Sequence, residues 1–115
     1  MSLGEPAGSR DPVFVVRIRQ AVNYDEPHKR IGELLKAFGG EWVPSYLIGV
    51  VASAKQYQED WQKRLRELRT LGWKVEFRRE KGEKRTVTFY RVEHFEPWPD
   101  GSVRAEIRRL ERGGS

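Results

Sequence analysis

The chain has 115 residues and a net charge of +5, and 34% of its residues are charged. This length is typical of one domain with a single core. The absence of Cys excludes disulfides, thiolate metal sites and thiol nucleophiles. No apolar run is long enough to cross a membrane, and the amino terminus lacks the order of a signal peptide. We therefore expect an intracellular protein that does not contact membranes.

The positive charge is concentrated in one segment. Residues 55–85 contain 11 basic and 6 acidic residues, and this excess of five equals the net charge of the whole chain. A positive field focused in this way favours a polyanionic partner, nucleic acid above all. The plainer interpretation is a solvated charged surface.

Both ends of the chain are rich in Gly, Ser and charged residues. We predict a flexible leader over residues 1–11 and a flexible tail over residues 112–115. Between them we find no repeat and no linker, so residues 12–111 are predicted to form one domain.

The first segment, Val13–Arg19, is rich in β-branched and aromatic residues and alternates after Val16. This pattern predicts a strand. The alternative is the first turns of a helix that continues to Val22.

The next segment predicts a first helix over Pro27–Phe38. Asp25 and Glu26 precede the proline, as is typical of a helix start, and two glycines follow Phe38. Four apolar residues at helical spacing form its buried face: Ile31, Leu34, Leu35 and Phe38. His28, in the first turn, is expected to be exposed.

Two further helices follow, separated by a turn at Ser53–Gln56. The second is predicted from Pro44 or Ser45 to about Ala52. The third ends at Gly72 and carries an apolar stripe of Trp61, Leu65, Leu68 and Leu71. Its opposite face is polar and basic.

After Gly72 the apolar period changes from 3.6 to 2. Trp73, Val75 and Phe77 alternate with charged residues, and Val87 and Phe89 alternate on the return. This pattern predicts a β-hairpin with a basic tip. Alternation over Val103–Arg108 favours a last strand, although Val103, Ile107 and Leu110 also fit a helix.

Three helices followed by a hairpin are the order of a winged helix. We therefore predict an α+β winged-helix domain with extra flanking strands. In that fold the third helix enters the DNA major groove, and the hairpin, called the wing, meets the backbone.

The stretch from Pro44 to Val75 also resembles the winged-helix domains attached to bacterial restriction endonucleases, notably of the HNH type. In those domains an Arg-rich helix runs into a Gly-Trp pair that begins the wing. The matching residues here are Lys63, Arg64, Leu65, Arg66, Glu67, Leu68, Arg69, Gly72 and Trp73. The resemblance implies the target-recognition part of a restriction system in the bacterial or archaeal cytoplasm, with a fused or associated nuclease. No nuclease motif accompanies it here.

The predicted function is binding of double-stranded DNA, without catalysis, metal or cofactor. The third helix and the segment before it supply candidate contacts at Tyr57, Gln58, Gln62, Lys63, Arg66 and Arg69. The hairpin supplies Arg78, Arg79, Lys81, Lys84 and Arg85 for the backbone. Three alternatives remain open: a docking or dimerisation module, an RNA binder, and a small enzyme using His94 with nearby carboxylates.

Overall fold

The computed structural model describes residues 12–113. In this range the chain forms five α-helices and one antiparallel sheet of three strands, so the α+β class is confirmed. The elements are, in chain order, α1 Pro12–Asn23, α2 Pro27–Ala37, β1 Val43–Pro44, α3 Ser45–Ala52, α4 Trp61–Glu67, β2 Lys74–Lys81, β3 Thr86–His94 and α5 Val103–Gly113. Residues 1–11 and half of the predicted tail, residues 114–115, lie outside the described range. Between residues 12 and 113, no helix is long and apolar enough to cross a membrane.

The centre of the core is α2, as its apolar spacing predicted. Ile31, Leu34 and Leu35 are completely buried, and Phe38 just after the helix is 8% exposed. Packed against α2 are α1, α3 and α4. Helix α2 ends at Ala37, one residue before the predicted end at Phe38.

The sheet has the strand order β1-β3-β2. Its inner face is formed by cross-strand pairs such as Val75 with Val92 and Phe77 with Tyr90. The short β1 adds Val43 beside Tyr90. The predicted hairpin is therefore confirmed, but the predicted apolar alternation of Val87 and Phe89 has the wrong phase. Phe89 pairs with Arg78, and Tyr90 and Val92 are the return-strand residues that face the core.

A 3₁₀ helix, Leu68–Leu71, continues α4 and leads into the hairpin. Leu65 and Leu68 are buried, as the predicted stripe required. Gly72 has a φ of 96°, in the left-handed region that glycine tolerates best. The chain therefore turns there and β2 begins two residues later.

The amino-terminal flank is a helix, so the predicted strand over Val13–Arg19 is wrong. Alternation would place Phe14, Val16 and Ile18 on one face. Phe14 and Ile18 pack against the core, whereas Val16 is 50% exposed. The helical period therefore prevails over β-propensity, because it brings Phe14 edge-on to Phe38, 5.1 Å between ring centroids.

The carboxyl-terminal flank is also a helix, so the predicted last strand is wrong for the same reason. Val103 and Ile107 are buried, but Ala105 between them is exposed. Glu26 accepts hydrogen bonds from the backbone N–H groups of Val103 and Arg104, at 3.0 and 3.3 Å. These bonds satisfy donors that a helix start leaves without partners.

One buried arginine joins three segments near α2. Arg30 is 1% exposed and donates to the Ala52 carbonyl at the end of α3 through Nε and Nη2, at 3.1 and 2.7 Å. Its Nη1 donates to the carbonyls of Tyr24 and Asp25, at 2.8 Å each. The guanidinium thus holds the α1–α2 turn against the end of α3.

Candidate nucleic-acid interface

A cleft of about 180 Å³ lies between α4 and the hairpin. Its polar lining comes from both elements: Gln62, Arg66, Arg69, Arg79, Thr88 and Tyr90. Leu65 and Phe77 add an apolar floor. The structure therefore brings Arg66 and Arg69, predicted on the third helix, together with Arg79, predicted on the wing.

The cleft arginines have no carboxylate partner within the part of the chain that the structure describes. Among residues 12–113, Arg66, Arg69 and Arg79 form no salt bridge. Arg69 donates from Nη2 to the Val75 carbonyl at 3.0 Å, and Arg79 lies 5.9 Å from the Phe77 ring centroid. Their three positive charges therefore face the cleft without a carboxylate from the described chain.

Tyr90 lines the same cleft and was missed by the sequence analysis. Burial raises the pKa of its phenol, and the charges of Arg79, Arg66 and Arg69 oppose this rise only in part. The phenol is therefore protonated at neutral pH and can donate a hydrogen bond. The strand register could have identified Tyr90. It is the cross-strand partner of Phe77, and residues directly opposite each other in a hairpin point to the same face of the sheet.

A buried network fixes α4 against α2. His28 is 2% exposed, so its predicted exposure is wrong, and its Nε2 lies 2.8 Å from Glu67 Oε1. Arg64 donates to the same oxygen at 2.7 Å. Burial lowers the pKa of His28, although Glu67 acts to raise it. The neutral imidazole therefore donates to the Glu67 carboxylate, which anchors the helix that carries Gln62 and Arg66.

The hairpin tip presents its cations to solvent. Lys81, Lys84 and Arg85 are exposed, and none of them forms a salt bridge within the described part of the chain. Gly82 closes the turn by donating its N–H to the Arg85 carbonyl at 2.8 Å. Three exposed cations thus lie at the turn that joins β2 to β3.

Arg78 lies on the other face of the sheet from Arg79. Its guanidinium stacks 4.7 Å from the Trp42 ring centroid and pairs with Glu80 at 2.6 Å. Arg91 stacks on the same ring at 4.5 Å. Successive strand residues point to opposite faces, so the predicted pair of neighbouring wing arginines is divided. Arg78 is engaged away from the cleft.

Three of the remaining candidates lie outside the cleft. Tyr57 and Gln58, predicted at the start of the third helix, are in the loop before it, because α4 begins at Trp61. The Gln58 N–H is bound by Ser53 Oγ at 2.9 Å, and Tyr57 is 77% exposed. Lys63 is exposed on α4 without a salt bridge in residues 12–113.

The residues considered for catalysis are His94 and the carboxylates beside it. His94 Nε2 hydrogen-bonds Glu96, and both side chains are about half exposed. Within residues 12–113, no three His, Asp or Glu side chains are placed to share a metal ion.

No protein-family model, curated protein or solved structure matches this chain.

Proposed function

We propose that this protein is a winged-helix domain that binds double-stranded DNA. The topology supports the fold. The elements α2, β1, α3 and α4 precede the hairpin, and β3 lies between β1 and β2 in the sheet. The first and last helices are then additions to a three-helix, three-strand unit. In this proposal α4 is the reading helix and the β2–β3 hairpin is the wing.

The observation that carries the proposal is the shared cleft. Arginines of the α4 segment and of the hairpin, which form no salt bridge with the described residues, line one cavity, so both elements can reach one duplex. Gln62 and Lys63 on α4 are the proposed base-reading residues, since long donors suit base edges. Lys81, Lys84 and Arg85 are the proposed phosphate contacts of the wing.

The restriction-type resemblance extends the proposal. A recognition module of such a system would direct a fused or associated nuclease to its target, and this chain would contribute binding without catalysis. The test is binding of purified protein to nuclease-free duplexes, so the proposal does not depend on finding the partner.

A salt titration tests DNA binding directly. If about six phosphates are contacted, the logarithm of the affinity for a labelled random duplex falls with the logarithm of salt at a slope near −5. Lys81→Gln with Lys84→Gln lowers affinity for all sequences alike and makes the slope shallower by about 2. Lys63→Gln instead relaxes preference at one or two base pairs. A flat salt response, or displacement of the duplex by an RNA single strand, contradicts the proposal.

A docking module is the second candidate, and one observation favours it. Tyr46 and Val50 are 66% and 68% exposed and lie four residues apart on α3, on one face. A protein partner on this face would form a complex that survives high salt. Tyr46→Ser with Val50→Ser would abolish that complex and leave the salt slope for duplex unchanged.

A further inference from the structure

The cleft between α4 and the hairpin has the composition of a discrete anion site. Among the described residues, its polar lining contains three guanidinium groups, one amide and two hydroxyls, and no carboxylate. The positive charges of the three arginines repel each other, and no described carboxylate lines the cleft to offset them. A bound anion would relieve this repulsion. On α5, by contrast, an arginine is paired with a carboxylate: Arg109 donates to Glu106 at 2.7 Å.

Part of the donor set is held in place by the fold, although the side chains of Arg66, Arg69 and Arg79 are exposed. Arg69 is fixed by the Val75 carbonyl. Arg79 and Thr88 are cross-strand partners, and Phe77 packs against Tyr90 with 6.3 Å between ring centroids. A donor that is already held, as Arg69 is, loses less freedom on binding than a mobile surface lysine does.

The donor set fits a phosphate group better than a planar carboxylate. A guanidinium presents two parallel N–H groups to two oxygens, and a phosphate offers oxygens in several directions. Arginines on the α4 side and on the hairpin side can therefore bind the same group from different directions. The neutral phenol of Tyr90 adds a donor whose loss changes no charge. The half-exposed Phe77 ring provides an apolar wall beside the anion.

We propose that this cleft binds one phosphate group, clamped between Arg66 and Arg69 on one side and Arg79 on the other, with Tyr90 donating a hydrogen bond. This inference deepens the proposed function and rests on it where the phosphate belongs to a DNA backbone. A phosphate held here ties the hairpin to α4 and sets the angle between the reading helix and the wing.

The first experiment uses inorganic phosphate alone. Titration is followed by NMR of the arginine Nε–H and tyrosine ring signals, with chloride at equal ionic strength as the reference. Saturable shifts confined to the cleft residues are expected, with half-saturation below about 10 mM. Arg79→Gln should abolish them, whereas the neighbouring variant Arg78→Gln, which removes the same charge from the opposite face, should keep them. Shifts that do not saturate, or that are equal at Arg78 and Arg79, would overturn the site.

The second experiment uses a labelled duplex and separates charge from hydrogen bonding. Arg79→Gln should weaken binding and reduce the steepness of the salt slope by about 1. Tyr90→Phe keeps the ring and should weaken binding about tenfold, since hydrogen bonds to charged groups are strong, with the slope unchanged. Circular dichroism of both variants checks that they are folded.

The two experiments distinguish the sources of the phosphate. Phosphate binding together with duplex binding that responds to Tyr90→Phe supports a DNA phosphate in the cleft. Phosphate binding with no duplex affinity supports the site with a free phosphate ligand and refutes the proposed function. Duplex binding that is steep in salt but indifferent to Tyr90→Phe and Arg79→Gln, with no phosphate titration, refutes the site and leaves the proposed function standing.

Discussion

Arg30→Met should be among the most destabilising single changes in this protein. Met retains most of the aliphatic stem but removes the guanidinium that binds three carbonyl oxygens. The Ala52 carbonyl is fully buried and loses both of its donors, which costs about 1–3 kcal/mol. The carbonyls of Tyr24 and Asp25 are partly buried, and each contributes about 0.5–1 kcal/mol.

The expected loss is therefore about 3 kcal/mol in the free energy of unfolding, a large share of the roughly 5–15 kcal/mol typical of a domain. Urea unfolding followed by far-ultraviolet circular dichroism measures it as a lower midpoint at constant slope. Arg108→Met on the exposed side of α5 is the matched control, with an expected change within about 0.5 kcal/mol. Arg30→Lys should recover only part of the loss, because one ammonium cannot reach all three carbonyls. A loss below about 1 kcal/mol for Arg30→Met would refute this reasoning.

Three further changes test other contacts. Burial lowers the pKa of His28 from 6.5, so His28 takes up a proton more readily in the unfolded chain than in the folded protein. The free energy of unfolding therefore falls as pH drops from 7 to 5.5. His28→Gln should flatten this dependence in urea titrations at several pH values. Gly32→Ala should destabilise despite the better helix propensity of Ala, by about 1–3 kcal/mol, because its Cβ would lie 2.5 Å from the Trp98 ring; the melting temperature measures it. Glu26→Ala should cost about 1 kcal/mol and speed amide exchange at the start of α5.

Each of these three predictions has an outcome that would contradict it. An unchanged pH dependence in His28→Gln would show that other groups cause it. Gly101→Ala is the control for Gly32→Ala, since no atom of the described residues lies within 4 Å of its Cβ, and equal effects of the two would exclude a clash. Unaltered exchange at Val103 in Glu26→Ala would show that α5 does not need this cap.

The central elements could be predicted because local pattern and tertiary demand agree there. The α2 stripe through Leu34 and Leu35 fits only a helix, and Gly72 marks a turn that the backbone requires. The two flanks were ambiguous because the same residues fit both periods. Val16 and Ala105 decide between them, since a strand would bury both and the structure exposes both. The packing partners of a flanking segment depend on the whole fold, so its local sequence alone does not determine them.

Buried polar residues escaped the sequence analysis for a related reason. Arg30 and His28 sit among charged residues at the start of α2 and look solvated in one dimension. They are buried because partners more than twenty residues away supply what each side chain needs: the Ala52 carbonyl for Arg30 and the Glu67 carboxylate for His28. Such partners are visible only once the helices are packed together.

In the candidate interface, the number of charged residues does not determine which side chains line the cleft. Composition placed Arg78 and Arg79 together as wing cations, but the pleat of β2 sends only Arg79 into the cleft. The same pleat brings in Tyr90, a residue without charge that composition could not single out. A site of this kind depends on strand register, because shifting β3 by one residue would replace Tyr90 with a neighbour and remove the phenol from the arginines. Charge therefore predicts that an anion binds, and register decides which donors meet it.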